Sequence, residues 1–152
     1  MKTDTASTFT YVTFIRTTPG RLWSAVTEPE FMKKYWFGMH IQTDWQTGSS
    51  WNLLFPDGRL ADGGEIVEID PPRRLVLKWR NHWKPELKSE GDSVFTMDLE
   101  PLDGGAVKLS ITHTMDHSES KFIQAVSGGW PLILSNLKSL IEMGEVAVKV
   151  KP

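Results

Sequence analysis

The chain has 152 residues, a formal charge of −2 and no cysteine, which is one domain's worth of sequence and enough to bury roughly 68 to 70% of the unfolded surface. So small a net charge removes the electrostatic case for nucleic acid or an acidic membrane surface, and the lack of thiols excludes disulfides and thiolate metal sites. No apolar run approaches a membrane span and none follows Lys2, so neither a membrane segment nor a signal peptide is expected and a cytoplasmic protein is the default.

Residues 9–17 have the aromatic and β-branched content of a strand, with Tyr11, Thr13 and Ile15 on one face and Val12 and Phe14 on the other. Thr18 followed by Pro19 marks a helix entry, because threonine caps and proline loses nothing at the first helical position. Leu22, Trp23 and Val26 supply that helix's buried side. Pro29 opens a second short helix through Phe31, Met32 and Tyr35, closing near Gly38. Residues 40–115 then read as consecutive strands joined by turns, an antiparallel meander. Trp51, Leu53 and Phe55 alternate with Ser50, Asn52 and Leu54; a turn at residues 56–58 leads to a strand at 61–69. After the turn at 70–72, Leu75, Leu77 and Trp79 alternate with Lys78 and Arg80, the pattern of a sheet with one wet face. Residues 84–92 are polar with Pro and Gly and read as a loop. Phe95, Met97 and Leu99 alternate next, and a turn at 103–105 leads into Val107, Leu109, Ile111 and His113.

The last long stretch, residues 116–143, repeats apolar side chains at spacings of three and four, which keeps one helical stripe against a core. Asp116 and Glu119 have capping-box spacing. Gly128, Gly129 and Pro131 interrupt the middle and predict a kink near Trp130. The tail past Gly144 is expected to fray. The order is strand, two short helices, about six strands and one long helix in a single domain. Such a sheet has one apolar face to cover, and the C-terminal helix carries the matching stripe.

That order, with the segments TPGRLWSAVTEPEFMKKYWFG, GEIVEIDPPRRLVLKW and GGWPLILSNLKSLIE, resembles the activator of heat-shock protein 90 ATPase homologue family, of the START-like helix-grip superfamily. The resemblance spans residues 8–143. It implies an α+β helix-grip fold of six to seven strands curved around a long C-terminal helix. It also implies a cavity between them that takes a hydrophobic small molecule in many relatives, and it raises a chaperone or other protein as an alternative partner.

The inward faces name the candidate ligand-binding residues: Trp51, Leu53, Phe55, Trp79, Phe95 and Met97 from the sheet, and Trp130, Leu134 and Leu137 from the helix. Trp36 and Phe37 are candidates for a lid. The alternative is that these side chains touch and leave no void, since interiors pack densely. His113 shares the inward face, as a ligand anchor, as a general acid or base of a cyclase or hydrolase, or as a core histidine bonded to backbone. His113 and His117 have a spacing seen in metal sites on helices, but the segment between them crosses a strand end, so no metal is expected and no cofactor is implied. Asp44, Asp62 and Glu28 fall where they could rim a pocket or simply be solvated. Glu65 and Glu68 are an odd number apart on a strand, on opposite faces, and form no dyad. Neither a nucleophile elbow nor a phosphate-binding loop is present. Exposed edge strands make a homodimer a further expectation.

Overall fold

A computed structural model describes residues 6–149. Strand β1 (Ser7–Arg16) is followed by helices α1 (Pro19–Thr27) and α2 (Pro29–Tyr35) and strands β2 (His40–Thr43), β3 (Ser50–Leu54), β4 (Leu60–Asp70) and β5 (Arg74–Asn81). A short helix α3 (Pro85–Lys88), strands β6 (Ser93–Leu102) and β7 (Ala106–Met115), and the long helix α4 (Lys121–Met143) complete the chain. The seven strands form one sheet in the order β1-β7-β6-β5-β4-β3-β2, antiparallel throughout. One turn of helix thus stands within the segment read as a loop at 84–92, where Leu87 is buried and holds it down.

The alternation in sequence becomes the two faces of this sheet. Ile15, Trp51, Leu53, Leu77, Trp79, Phe95, Met97, Leu109, Ile111 and His113 are buried on the inward face, while Val12 and Phe14 are exposed on the other. Register shifts at Leu53/Leu54 and at Ile66/Glu68 bend the sheet, as an extra residue in one strand does. The second shift also leaves Glu65, Val67 and Glu68 all exposed, so the strict alternation that put the two carboxylates on opposite faces fails at the bulge. Gly64 permits a closer approach. Trp51, Gly64 and Trp79 lie side by side across β3, β4 and β5, and the Trp51 indole donates to the carbonyl of Lys78 at 3.0 Å. A Cβ on Gly64 would stand 1.7 Å from that same oxygen and 3.1 Å from the indole nitrogen, so only glycine fits beside this hydrogen bond.

Helix α1 starts as expected, with Thr18 Oγ1 accepting from Arg21 N at 3.3 Å and Leu22 and Val26 buried; Ala25 is buried with them, and Trp23 is only half-buried. Helix α4 starts later than the sequence spacing suggests. Its cap is Ser120, whose Oγ accepts from Ile123 N at 3.1 Å, and Asp116 stays exposed outside the helix. The carboxylate at this end comes from Glu90, between α3 and β6: it accepts from Ser120 Oγ at 2.5 Å, Lys121 N at 2.9 Å and Phe122 N at 3.4 Å. Burial pushes the Glu90 pKa up, but these hydrogen bonds outweigh it and hold the group below its ordinary value. The helix then stays helical through Pro131 to Met143. Near its end Lys138 donates to the carbonyl of Phe14, and Glu142 accepts from Arg16 N at 2.7 Å, so α4 covers one end of the outer edge of β1. The tail does not fray at Gly144. Buried Asn136 accepts from Val148 N at 2.7 Å and donates to Val148 O at 2.8 Å, which fastens the chain as far as residue 148.

Candidate functional site

Between the sheet and the first half of α4 lies a cavity of about 450 Å³, within the size range of small-molecule sites. Its inner wall is aromatic. Trp36 from the end of α2, Trp79 from β5 and Trp130 from α4 meet with ring centroids 5.4 to 6.5 Å apart. Leu53 and Phe55 form one side, and Phe37 follows directly after Trp36 on another. The exposed residues Trp83, Lys84, Ala125 and Gly128 stand at the solvent side. A Cβ on Gly128 or Gly129 would meet nothing within 4 Å, so the two glycines leave space where any other helical residue would place a side chain.

Of the residues named from sequence, Trp36, Phe37, Leu53, Phe55, Trp79 and Trp130 line this cavity. Phe95, Met97, Leu134 and Leu137 lie on the far side of the indole wall, around a void of about 20 Å³, which holds little more than one water. There the densely packed alternative applies. Trp51 does not line the cavity either; its ring packs edge-on against Trp79 at 4.6 Å and supports the wall from behind.

His113 is also absent from the cavity wall. It is fully buried and its partners fix its tautomer. Trp130 Nε1, a donor only, lies 3.2 Å from Nδ1, so Nδ1 accepts; Nε2 must then carry the proton and donate to Ser93 Oγ at 2.8 Å. Ser93 Oγ in turn donates a hydrogen bond to the carbonyl of Trp79 at 3.2 Å. The partners are therefore side chains rather than backbone, and burial pushes the imidazole pKa down to about 3. This histidine holds Trp130 and β6 in place as a neutral group. His117 lies elsewhere, 3.5 Å from Glu90 and 3.3 Å from Asp116, and among the described residues no set of three or more His, Asp or Glu side chains is placed to hold a metal.

Among the described residues, the acid that lines the cavity is Asp62. Together with Asp44 and Glu28 it reads from sequence as a charge that rims a pocket or is simply solvated; Asp44 and Glu28 are exposed, but Asp62 is only 8% exposed and lines the wall. Its Oδ2 accepts from Trp79 Nε1 at 2.7 Å and its Oδ1 from Asn81 Nδ2 at 3.0 Å. Asn81 is itself oriented, because its Oδ1 accepts from Lys84 N at 2.9 Å. The neighbouring Gly63–Gly64 pair was the available signal: β4 lacks side chains there, which draws adjacent strands close. Met39, Leu87, Phe122 and Val126 also line the cavity without having been singled out. They lie on the loop after α2, on the turn of α3 and on the first turns of α4.

A curved antiparallel sheet closed by one long C-terminal helix, with a ligand-sized cavity between them, defines the START-like helix-grip class. Residues 16–142 match the family model for Activator of Hsp90 ATPase homolog 1-like protein, and the chain belongs to that family. No curated protein sequence matches it significantly. Solved structures with the same fold include the Aha1 dimer from Colwellia psychrerythraea, at 17% identity and TM-score 0.73 over 91% of this chain and 98% of that one. An Hsp90 activator from Plasmodium falciparum is 22% identical, with TM-score 0.71 over 90% and 96%. DynU16, a protein of the dynemicin biosynthetic locus, is 18% identical, with TM-score 0.74 over 91% of this chain and 48% of that one. Among the described residues no helix is long and apolar enough to cross a membrane.

Proposed function

We propose that this protein binds a hydrophobic small molecule in the cavity between the sheet and α4. The observation that carries the reading is the cavity itself: about 450 Å³, floored by Trp36, Trp79 and Trp130 and left open beside Gly128 and Gly129. Burial of apolar ligand surface against these rings contributes about 25 cal/mol per Å², and the indoles report occupancy through their fluorescence. A thermal-shift screen of sterols, fatty acids, flavonoids and polyketides tests it. Ligand at 100 times its dissociation constant adds about 2.7 kcal/mol, which for a domain of this size raises Tm by roughly 2 to 4 °C per kcal/mol. A shift with altered tryptophan emission is the expected result; a folded protein unmoved by the whole panel overturns the reading.

A second reading is a protein-interaction module acting on a chaperone. It is favoured by the family description and by the Plasmodium relative, which is an Hsp90 activator. Self-association belongs with it, since β1 is an edge strand with Val12 43% and Phe14 52% exposed, and the Colwellia relative is a dimer. Stimulation of an Hsp90 ATPase by the purified protein, and light scattering for its mass, test these two points.

A further inference from the structure

Resting on the cavity reading, we propose that the ligand is a flat aromatic molecule carrying a hydroxyl or amino donor, and that Asp62 is the acceptor that selects it. The inner wall holds three indole rings, of which Trp36 and Trp79 lie within 24° of parallel while Trp130 is inclined to both, and this aromatic surface suits an aromatic partner. Among the described residues that line the cavity, Asp62 is the sole acid.

The hydrogen-bond directions around Asp62 are settled by chemistry. The Trp79 indole N–H can only donate, and it donates to Oδ2. The Asn81 amide is turned by its bond from Lys84 N, so its NH₂ faces Oδ1. Both carboxylate oxygens therefore accept, and the Trp79 and Asn81 donors are directed at Asp62 rather than into the cavity. What this spot presents to a bound molecule is acceptor capacity and negative charge. A carboxylate accommodates about four donors, and the bonds from Trp79 and Asn81 do not by themselves fill it. A ligand hydroxyl or amino group gains a charge-assisted hydrogen bond there. At Asp62 an ether oxygen meets lone pairs, and a ligand carboxylate meets like charge.

The test uses three fluorescent probes of one shape, hydroxypyrene, its methyl ether and pyrene carboxylate, titrated by energy transfer from the tryptophans. Wild-type protein is expected to prefer hydroxypyrene over the ether by about tenfold or more, as a site built to hydrogen-bond a hydroxyl rejects its analogue, with the carboxylate weakest. In Asp62→Asn and Asp62→Ser the tolerance for pyrene carboxylate should rise, and in Asp62→Asn the preference for hydroxyl over ether should fall to about twofold. A purely structural role for Asp62, holding Trp79, would instead weaken all three probes alike and leave their order unchanged; that result overturns the proposal. Equal binding of the three probes to wild type overturns it too, while leaving the cavity reading intact. Failure of every probe to bind overturns the aromatic ligand and counts against the cavity reading. The wild-type ranking requires no variant, so the proposal stays decidable if either substitution fails to fold.

Discussion

Trp79 and His113 show how single side chains set this interior. Trp79 packs against Trp51, Phe95, His113 and Trp130 with centroids 4.6 to 5.7 Å apart, while its N–H holds Asp62 on the cavity wall. One ring thus links the packed core to the site. His113 lies behind it as a neutral imidazole whose pKa is depressed by burial to about 3, against an ordinary 6.5. Between those values the unfolded chain carries a proton that the folded chain does not. Stability is therefore full above about pH 6.5 and declines as pH falls toward 3, by about 1.4 kcal/mol per pH unit from this group. His113→Gln keeps a donor and an acceptor but removes the titration. Urea unfolding at pH 7.5 and 4.5 should show a smaller loss on acidification in the variant than in wild type. An identical loss in both proteins would mean that the imidazole protonates without unfolding.

At the scale of elements, α4 matters most, and the way it is held shows what sequence can and cannot reveal. Its stripe of apolar residues and the alternation of β3, β5, β6 and β7 are periodic signals, so the helix, the strands and their inward faces were legible. Periodicity gives direction but not depth. Phe95 and Met97 do point inward, yet they fall beyond the indole wall, whereas Leu53 and Phe55 fall on its open side. Partners distant in sequence have no local signature at all. Asp116 and Glu119 have the spacing of a cap, but Glu90, 30 residues before Ser120, supplies the carboxylate. The consequence is measurable. Glu90→Ala removes the acceptor for two backbone N–H groups and the Ser120 hydroxyl, and should cost about 1 to 2 kcal/mol. Ser120→Ala should cost a similar amount, and the double variant less than the sum, because both act on the same turn. Strict additivity in denaturant titrations would show that the two caps work separately.

For the whole molecule the question is whether activity resides in the cavity or on an outer face, and Gly129 separates the two. A glycine inside a helix costs roughly 0.5 to 1 kcal/mol relative to alanine. No atom within 4 Å of the position of its missing Cβ demands that cost, so the space has no structural need and is open to a ligand. Gly129→Met should therefore do two things at once. It should raise Tm by a few degrees, through the gain in helix propensity and the apolar surface newly covered, and it should abolish the thermal shift and the tryptophan response to any ligand that wild type binds. The outer surface, including the edge of β1 with Val12 and Phe14, is untouched by this change, so stimulation of a chaperone ATPase and self-association should persist in the variant. A stabilised variant that still responds to ligand would place binding outside the cavity. One that loses chaperone stimulation together with ligand binding would show that the two readings share a site.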